Sequence, residues 1–465
     1  MADLHSGEEN LMRFGLRGIL GLTSFFGAFL APVGSLAQEV ETASASTINH
    51  GDVGWILTSS AIVLMMTIPG LALFYGGLVR GKNVLSILML CFVTAATVSV
   101  TWVLWGYSIA FGPDHGGLIG DLSLLGLSGV SWEVGTVVDN IPDQTFMVFQ
   151  LMFAIITPAL IVGAIAERMK FAAFLLFVVI WSTVIYSPLA HWVWGGGWLG
   201  ERGALDFAGG TVVHISSGAS ALVAAIMLGK RRGYGKDPMP PHNVPFVIVG
   251  AALLWVGWFG FNAGSALAAN GIATIAFVNT NTATGAAVLG WLFTEWIARG
   301  KPTAVGAATG AVAGLVAITP AAGFVEPWAA IAIGAVAGFL CYQAVNLKSR
   351  LGYDDSLDVV GVHGVGGTWG AIATGLFASP LLSDGGLFTG NPGQLLTQLE
   401  AIAATYVLCI VGTFVILSIV NFAVGLRVHE EDEATGLDLT LHAETAYSTG
   451  GAGGGPIGER TVSHD

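Results

Sequence analysis

DFAGGTVVHISSGASALVAAIML, residues 206–228, is a stretch that a water-soluble fold has little use for. Between Asp206 and Lys230 it carries no acidic or basic residue, and its one ionisable group is His214. About 20 such residues, rising 1.5 Å each, cross the roughly 30 Å hydrocarbon core of a bilayer as a helix. A histidine at that depth costs free energy, on insertion scales of the order of 2.5–3.5 kcal/mol for a charged group, and is a functional candidate by default.

Working outward, apolar runs of similar length cover 55–79, 84–111, 144–166, 171–190, 208–228, 244–262, 277–298, 303–322, 328–347, 357–379 and 395–425. The last is long enough to tilt or to extend beyond the membrane. The tenth run repeats the feature of the fifth, since Gly361-Val-His363-Gly364 also sets one histidine near the start of a span. Two five-span blocks would enter the membrane from opposite sides, as in an inverted repeat. The expectation is an all-α integral membrane protein of about 11 transmembrane helices, two inverted five-helix blocks plus a long eleventh helix.

Composition agrees. The 465 residues are 54% hydrophobic and 10% charged, where a soluble protein carries roughly 25% charge. The 66 glycines are about twice the usual share of roughly 7%, as expected where small residues let helix backbones approach in lipid. The formal charge of −13 sits in loops and tail, so it does not mark a partner, and a nucleic-acid ligand is not expected. Cys91, Cys341 and Cys409 lie in apolar runs without CxxC spacing and read as packing residues, not as a disulfide or metal site. No cofactor is expected.

Arg80 and Lys82, Arg168 and Lys170, the Lys230–Lys236 cluster, Arg299 and Lys301, Lys348 and Arg350, and Arg427 follow alternate spans; the other side carries Arg202 alone. The positive-inside rule puts the mature N-terminus outside and the C-terminus in the cytoplasm. Residues 1–37 resemble an export signal, with Arg13 and Arg17 before an apolar stretch and Ser35-Leu36-Ala37 as a cleavage site; an uncleaved extra helix is the alternative. The organisation expected is a signal at 1–37, a transmembrane domain at 52–427 and a cytoplasmic tail at 428–465. The acidic loop 112–143 reads as a solvated connection, or as a means of concentrating cations.

Three groups of residues carry chemistry. His214 and His363, if the blocks pack about a pseudo-twofold axis, meet near the bilayer centre and can share a hydrogen bond. Phe149, Phe153, Trp194, Phe261 and Ser265 fall toward the outer side, where ring faces could hold a cation, worth about 0.5–2 kcal/mol each. Asp206 stands where the fifth span begins, as a helix cap or a cation ligand; Asp358 holds a similar place before the tenth and reads as structural.

Strings that hold Trp194, Asp206, His214, Phe261, Ser265 and His363, with one further stretch, resemble the Amt/Mep/Rh ammonium transporter family: Thr67 to Asn83 (TIPGLALFYGGLVRGKN), Trp194 to Gly197 (WGGG), Ala204 to His214 (ALDFAGGTVVH), Gly257 to Ser265 (GWFGFNAGS) and Gly361 to Gly367 (GVHGVGG). The likeness runs from about Asp52 to Tyr447, and Trp194 with Ser265 resembles the bacterial branch. The resemblance implies a homotrimer in the cell inner membrane with one pore per subunit. It implies an outer ammonium site at Phe153, Trp194 and Ser265, with Phe149, Tyr186 and Asp206 near it. It also implies a phenyl gate at Phe153 and Phe261, a pore lined by His214 and His363, and a PII-type signal protein as cytoplasmic partner. Ammonium differs from potassium in its N–H donors and in the proton it can give up, so deprotonation and passage of ammonia, with a proton relay through the histidines, is the expected route. An ammonium sensor is the alternative, and an enzyme is disfavoured for want of HExxH or cysteine-pair ligands.

Overall fold

The computed structural model describes residues 48–447; the expected signal at 1–37 and the glycine-rich end after Tyr447 lie outside them. The fold follows from hydrocarbon as solvent: every backbone N–H and C=O must be paired within its own segment, which a helix does. Eleven segments comply. They are α1 (His50–Leu78), α2 (Gly81–Phe111), α3 (Asp143–Ile165), α4 (Phe171–Glu201), α5 (Gly210–Leu228), α6 (Val244–Gly264), α7 (Gly271–Arg299), α8 (Ala304–Ile318), α9 (Pro327–Leu351), α10 (360–377) and α11 (Pro392–Val424).

Nine of the eleven are long and apolar enough to cross a membrane on their own composition. The other two are α8, 15 residues long and buried along nearly all of its length, and α10, diluted by glycine, threonine and His363. Both are lined largely by protein, so α8 can be short and α10 less apolar than a lipid-facing span. The fourth span runs further than the sequence suggests, to Trp194, before breaking at Gly195–Gly197. The only strands among the described residues are a two-residue hairpin, β1 (Asp114–His115) and β2 (Ile119–Gly120).

Successive crossings of the described residues put the even-numbered connections at one end with the acidic loop and the odd-numbered ones at the other, the basic end. The acidic loop is built rather than merely solvated. Asp143 accepts from Thr136 N and Val137 N at 2.6 and 3.1 Å, Asp114 meets the buried His191 Nε2 at 2.8 Å, and Asp52 holds Asn140 and Ala269 N. Glu133 and Asp139 remain exposed.

At the basic end several charges of the connections are inside. Glu167, 2% exposed, accepts from Arg80 Nε at 2.9 Å and lies 3.3 Å from Arg231 Nη1; Arg231 in turn grips Asp354 with Nε and Nη2, both at 2.9 Å. Arg168, fully buried, donates to Asp354 O and Ser356 Oγ. These residues belong to four different interhelical connections, so one ionic cluster binds the helix pairs together. Hydrogen bonds and charge from Arg80 and Arg231 outweigh burial and hold the Glu167 carboxyl below its usual range; Arg231 does the same for Asp354.

The first part of the tail is part of this end. Two short helices, α12 (Glu430–Thr435) and α13 (Leu437–His442), lie across it. Glu433 bonds Arg427 Nη2 at 2.7 Å and Arg232 N at 2.5 Å, while Asp438 takes Ser86 N and Asn83 takes Leu437 N. A division between 427 and 428 therefore cuts through packed structure.

Arg231→Ala leaves Glu167 and Asp354 short of a partner, and losing one member of a buried pair costs about 3–5 kcal/mol; thermal melting in detergent at pH 7 should show it. Because the folded-state pKa values of both carboxyls are depressed, their contribution is present above the usual carboxylate range and fades as pH falls through it. The gap between wild type and Arg231→Ala should accordingly narrow in melts taken at progressively lower pH.

Candidate functional site

Both histidine-bearing helices begin the same way. Asp206 receives the free N–H groups that open α5: Oδ1 accepts from Gly209 N at 2.8 Å and Gly210 N at 2.5 Å, and Oδ2 from Thr211 N at 2.8 Å, Val212 N at 3.3 Å and the Thr211 hydroxyl. Gly209, at φ 115°, makes the turn that folds the backbone around the carboxylate. On α10 the same place is taken by Asp355, which accepts from Val360 N at 2.7 Å. Asp358, singled out from sequence, instead pairs with Lys348. The repeat is thus Asp206 with His214 and Asp355 with His363, at one spacing in both halves, because each carboxylate must reach the first free N–H of its helix.

Both helices open in a wide π-helical turn, Gly210–Ile215 and Val360–Gly364, with the histidine inside it. Such turns push a side chain out of the ordinary helical register and recur at functional sites. Further in, a Cβ on Gly218 would lie 2.3 Å from Gly364 Cα, so only glycine permits the crossing of α5 and α10. That crossing brings His214 Nδ1 to 3.2 Å from His363 Nδ1. For neutral rings one Nδ1 donates and the other accepts, leaving one N–H and one lone pair on the two Nε2 atoms. Buried His214 Nε2 has no hydrogen-bond partner.

The histidines border a narrow cavity of about 10 Å³, walled by Phe74, Tyr75, Leu160, Trp258, Phe261 and other apolar groups. Trp258 stacks on His214 with centroids 5.5 Å apart and planes at 20°. Toward the acidic end lies a second, larger cavity of about 320 Å³, lined by Phe146, Gln150, Phe153, Trp194, Phe207 and Ser265 among others. Phe153 faces the larger cavity and Phe261 the smaller, and their rings lie 4.4 Å apart. That phenyl pair is the partition.

Hydrogen bonds fix what the larger cavity presents. Trp194 Nε1 donates to Asp206 O at 2.9 Å, which leaves the indole ring itself against the cavity and edge-to-face with Phe153 at 5.9 Å. Ser265 Oγ donates to Phe261 O at 2.8 Å, so its lone pairs remain to accept from a ligand. Phe153, Trp194 and Ser265 are therefore together, as the sequence suggests. Phe149 sits behind Phe153 at 5.0 Å, packed near Gly264, and buried Tyr186 lies against Trp102 at 6.1 Å; neither lines the cavity. Asp206 has both carboxylate oxygens occupied and meets Trp194 through its backbone carbonyl alone.

Phe146, Gln150, Phe207 and Trp258 were not singled out from sequence. The first two form a stripe with Phe153 along one face of α3, at i, i+4 and i+7, and Trp258 is one turn from Phe261; both signals were legible. Phe207 was not, since it follows a cap in an irregular segment.

Comparison with known proteins shows the family. A model of the Ammonium Transporter Family matches residues 54–447. The chain belongs to the ammonium transporter family. An ammonium transporter of Bacillus subtilis is 54% identical over 85% of this chain and 98% of its own. A crystal structure of Saccharomyces cerevisiae Mep2 is similar with a TM-score of 0.79 at 38% identity, covering 83% of this chain and 89% of that one. A structure described as "Sensor Amt Protein" has the same TM-score at 30% identity, over 84% of this chain and 98% of that one.

Asp206→Ala in this family member would orphan four N–H groups and a hydroxyl, each costing about 1–3 kcal/mol when buried. The expected result is little folded protein by gel filtration, with Asp206→Asn folding at a lowered melting temperature. If Asp206→Ala melts as wild type and changes only ammonium affinity, the carboxylate is a ligand and not a cap.

Proposed function

We propose that the protein conducts ammonia across the bacterial inner membrane after recruiting ammonium in the larger cavity. The observation that carries this reading is the order of the spaces: an aromatic cavity of about 320 Å³, a phenyl pair 4.4 Å apart, and a narrow, mainly apolar cavity bordered by two hydrogen-bonded imidazoles. Ring faces of Trp194, Phe153 and Phe207 attract a cation, and Ser265 accepts one of its N–H bonds. An intact ion cannot go further, because a narrow apolar tube offers too few ligands to replace its water and the desolvation cost reaches tens of kcal/mol by Born estimates. Ammonium can leave its proton behind; potassium has none to leave.

Neutral ammonia then passes Phe153 and Phe261 and meets the histidine pair, whose free N–H and lone pair match ammonia's own acceptor and donors. The proton, released to water in the larger cavity, has a route through the pair: it adds to the Nε2 lone pair of one ring, the Nδ1 proton of that ring crosses to the other Nδ1, and the second ring gives up its Nε2 proton. Positive-inside charge supports a cytoplasmic basic end and an outward acidic end. With that orientation the tail helices α12 and α13 lie at the cytoplasmic exit, where a PII-type protein would dock. Family resemblance supports the homotrimer with one conduit per subunit.

The similarity to a structure described as a sensor favours one second reading, in which bound ammonium is reported through the tail. Flux of methylammonium into proteoliposomes separates the two, since a pure sensor passes none.

For the relay, charge movement after an ammonium jump on a supported membrane is the measurement. Wild type should give a transient current for ammonium and none for potassium. Replacing His214 and His363 together by apolar residues should remove at least nine-tenths of the ammonium current. Undiminished current in that double variant would end the relay, and a potassium current equal to the ammonium one would end the deprotonation step.

A further inference from the structure

Away from the conduit, α4 and α11 pack through the wide turn Ser182–Tyr186 and diverge toward the acidic end. The divergence starts where Gly412 of α11 meets Ile185 of α4, with a Cβ at that glycine only 2.9 Å from the Ile185 side chain. Between the parting helices runs an open groove of about 660 Å³, walled by Trp192, Trp198, Val407, Leu408 and Val411. Val407 and Val411 are 63% and 57% exposed. From Glu400 at its mouth to Gly412 at its foot is about 18 Å of helix at 1.5 Å per residue, close to the thickness of one leaflet of a roughly 30 Å hydrocarbon core.

The mouth is the reverse of the walls. Arg202 Nη2 lies 3.1 Å from Glu400 Oε1, both side chains exposed, at 63% and 40%. Beside them two indoles, Trp192 and Trp198, have centroids 5.7 Å apart, the ring type that settles at a membrane–water boundary. One cation and one anion side by side, over an apolar slot one leaflet deep, match a ligand with a phosphate, an adjacent ammonium and an acyl chain. We propose that this groove is a binding site for a phosphatidylethanolamine molecule, with its phosphate on Arg202, its primary ammonium on Glu400 and one acyl chain against Val407 and Val411.

Charge complementarity selects this lipid from others. Arg202 and Glu400 pair with each other without a lipid; a phosphate draws Arg202 to itself, and only a head group with N–H donors beside that phosphate gives Glu400 a hydrogen-bond donor in exchange. A quaternary choline has no N–H, and a glycerol head has no cation. The lipid would back the same turn of α4 that carries Trp194 on its opposite side, and so stiffen the wall of the ammonium cavity.

The test is native mass spectrometry of the purified full-length protein, delipidated and titrated with phosphatidylethanolamine, phosphatidylcholine and phosphatidylglycerol of identical chains. Phosphatidylethanolamine should be retained at least threefold more tightly than the other two. Glu400→Gln should abolish that advantage without weakening phosphatidylcholine, Arg202→Ala should weaken all three, and Val407→Trp should fill the slot and remove the retained lipid at unchanged melting temperature. Retention blind to the head group and indifferent to Glu400→Gln overturns the proposal. So does a Val407→Trp protein that keeps its lipid, or that changes oligomeric state on gel filtration, since the groove would then be a contact between copies.

Discussion

Gly218 of α5 rests on Gly364 of α10 with no space for a methyl group between them, and the conduit depends on that backbone contact. In lipid no water-driven collapse pulls helices together, so close approach has to come from small side chains and matched surfaces. Where two backbones touch, the residues near the contact are forced into each other's reach. His214 stands one turn before Gly218 and His363 immediately before Gly364, each inside a π-helical turn. A larger residue at the crossing would separate the imidazoles and widen the passage at once, so the narrowness of the cavity and the hydrogen bond between the rings have one cause.

The ends of the bundle answer a different need. Asp206 and Asp355 absorb the free N–H groups of the two helices that start within the protein, near the depth where water is scarce. At the basic end Arg80, Glu167, Arg231 and Asp354 form a buried cluster that draws on four connections. Such a cluster adds little net stability compared with an apolar substitute, but it is costly to break and admits one arrangement. It therefore fixes how the helix pairs stand and lets the middle of the bundle stay apolar. The tail helices tie into the same end through Glu433 and Asp438, so movement of that segment and movement of the helix ends are mechanically linked.

Between the ends, polarity is sorted by depth. The larger cavity has ring faces, one amide and one hydroxyl; the passage beyond has ring edges and methyl groups until the histidines. In the proposed mechanism the change from one lining to the next, at Phe153 and Phe261, is where an ion would lose its last favourable partners and a neutral molecule would lose almost nothing. Selection then follows from the acidity of the solute, with size playing a small part.

Much of this was readable from residues in order. The uncharged runs, the alternation of basic connections and the two embedded histidines specify a polytopic helical bundle, because hydrocarbon tolerates only helices there and charges mark the ends that do not cross. Trp194, Ser265 and Phe261 were legible within strings resembling a family, and Phe153 as a residue which that resemblance implies. What the linear chain leaves open is which polar group serves which neighbour. Asp358 and Asp355 lie three apart, and only the folded loop decides that Asp355 caps α10 while Asp358 pairs with Lys348. Phe149 and Phe153 share a helix face, but only packing against Gly264 turns the first away from the cavity. Arg168 and Arg231 read from sequence only as charges that orient the spans; the fold buries them, with partners from connections far away in sequence. Hydropathy acts on each segment by itself and so is written in the chain; pairing and orientation depend on contacts between segments, and those exist only once the helices have packed.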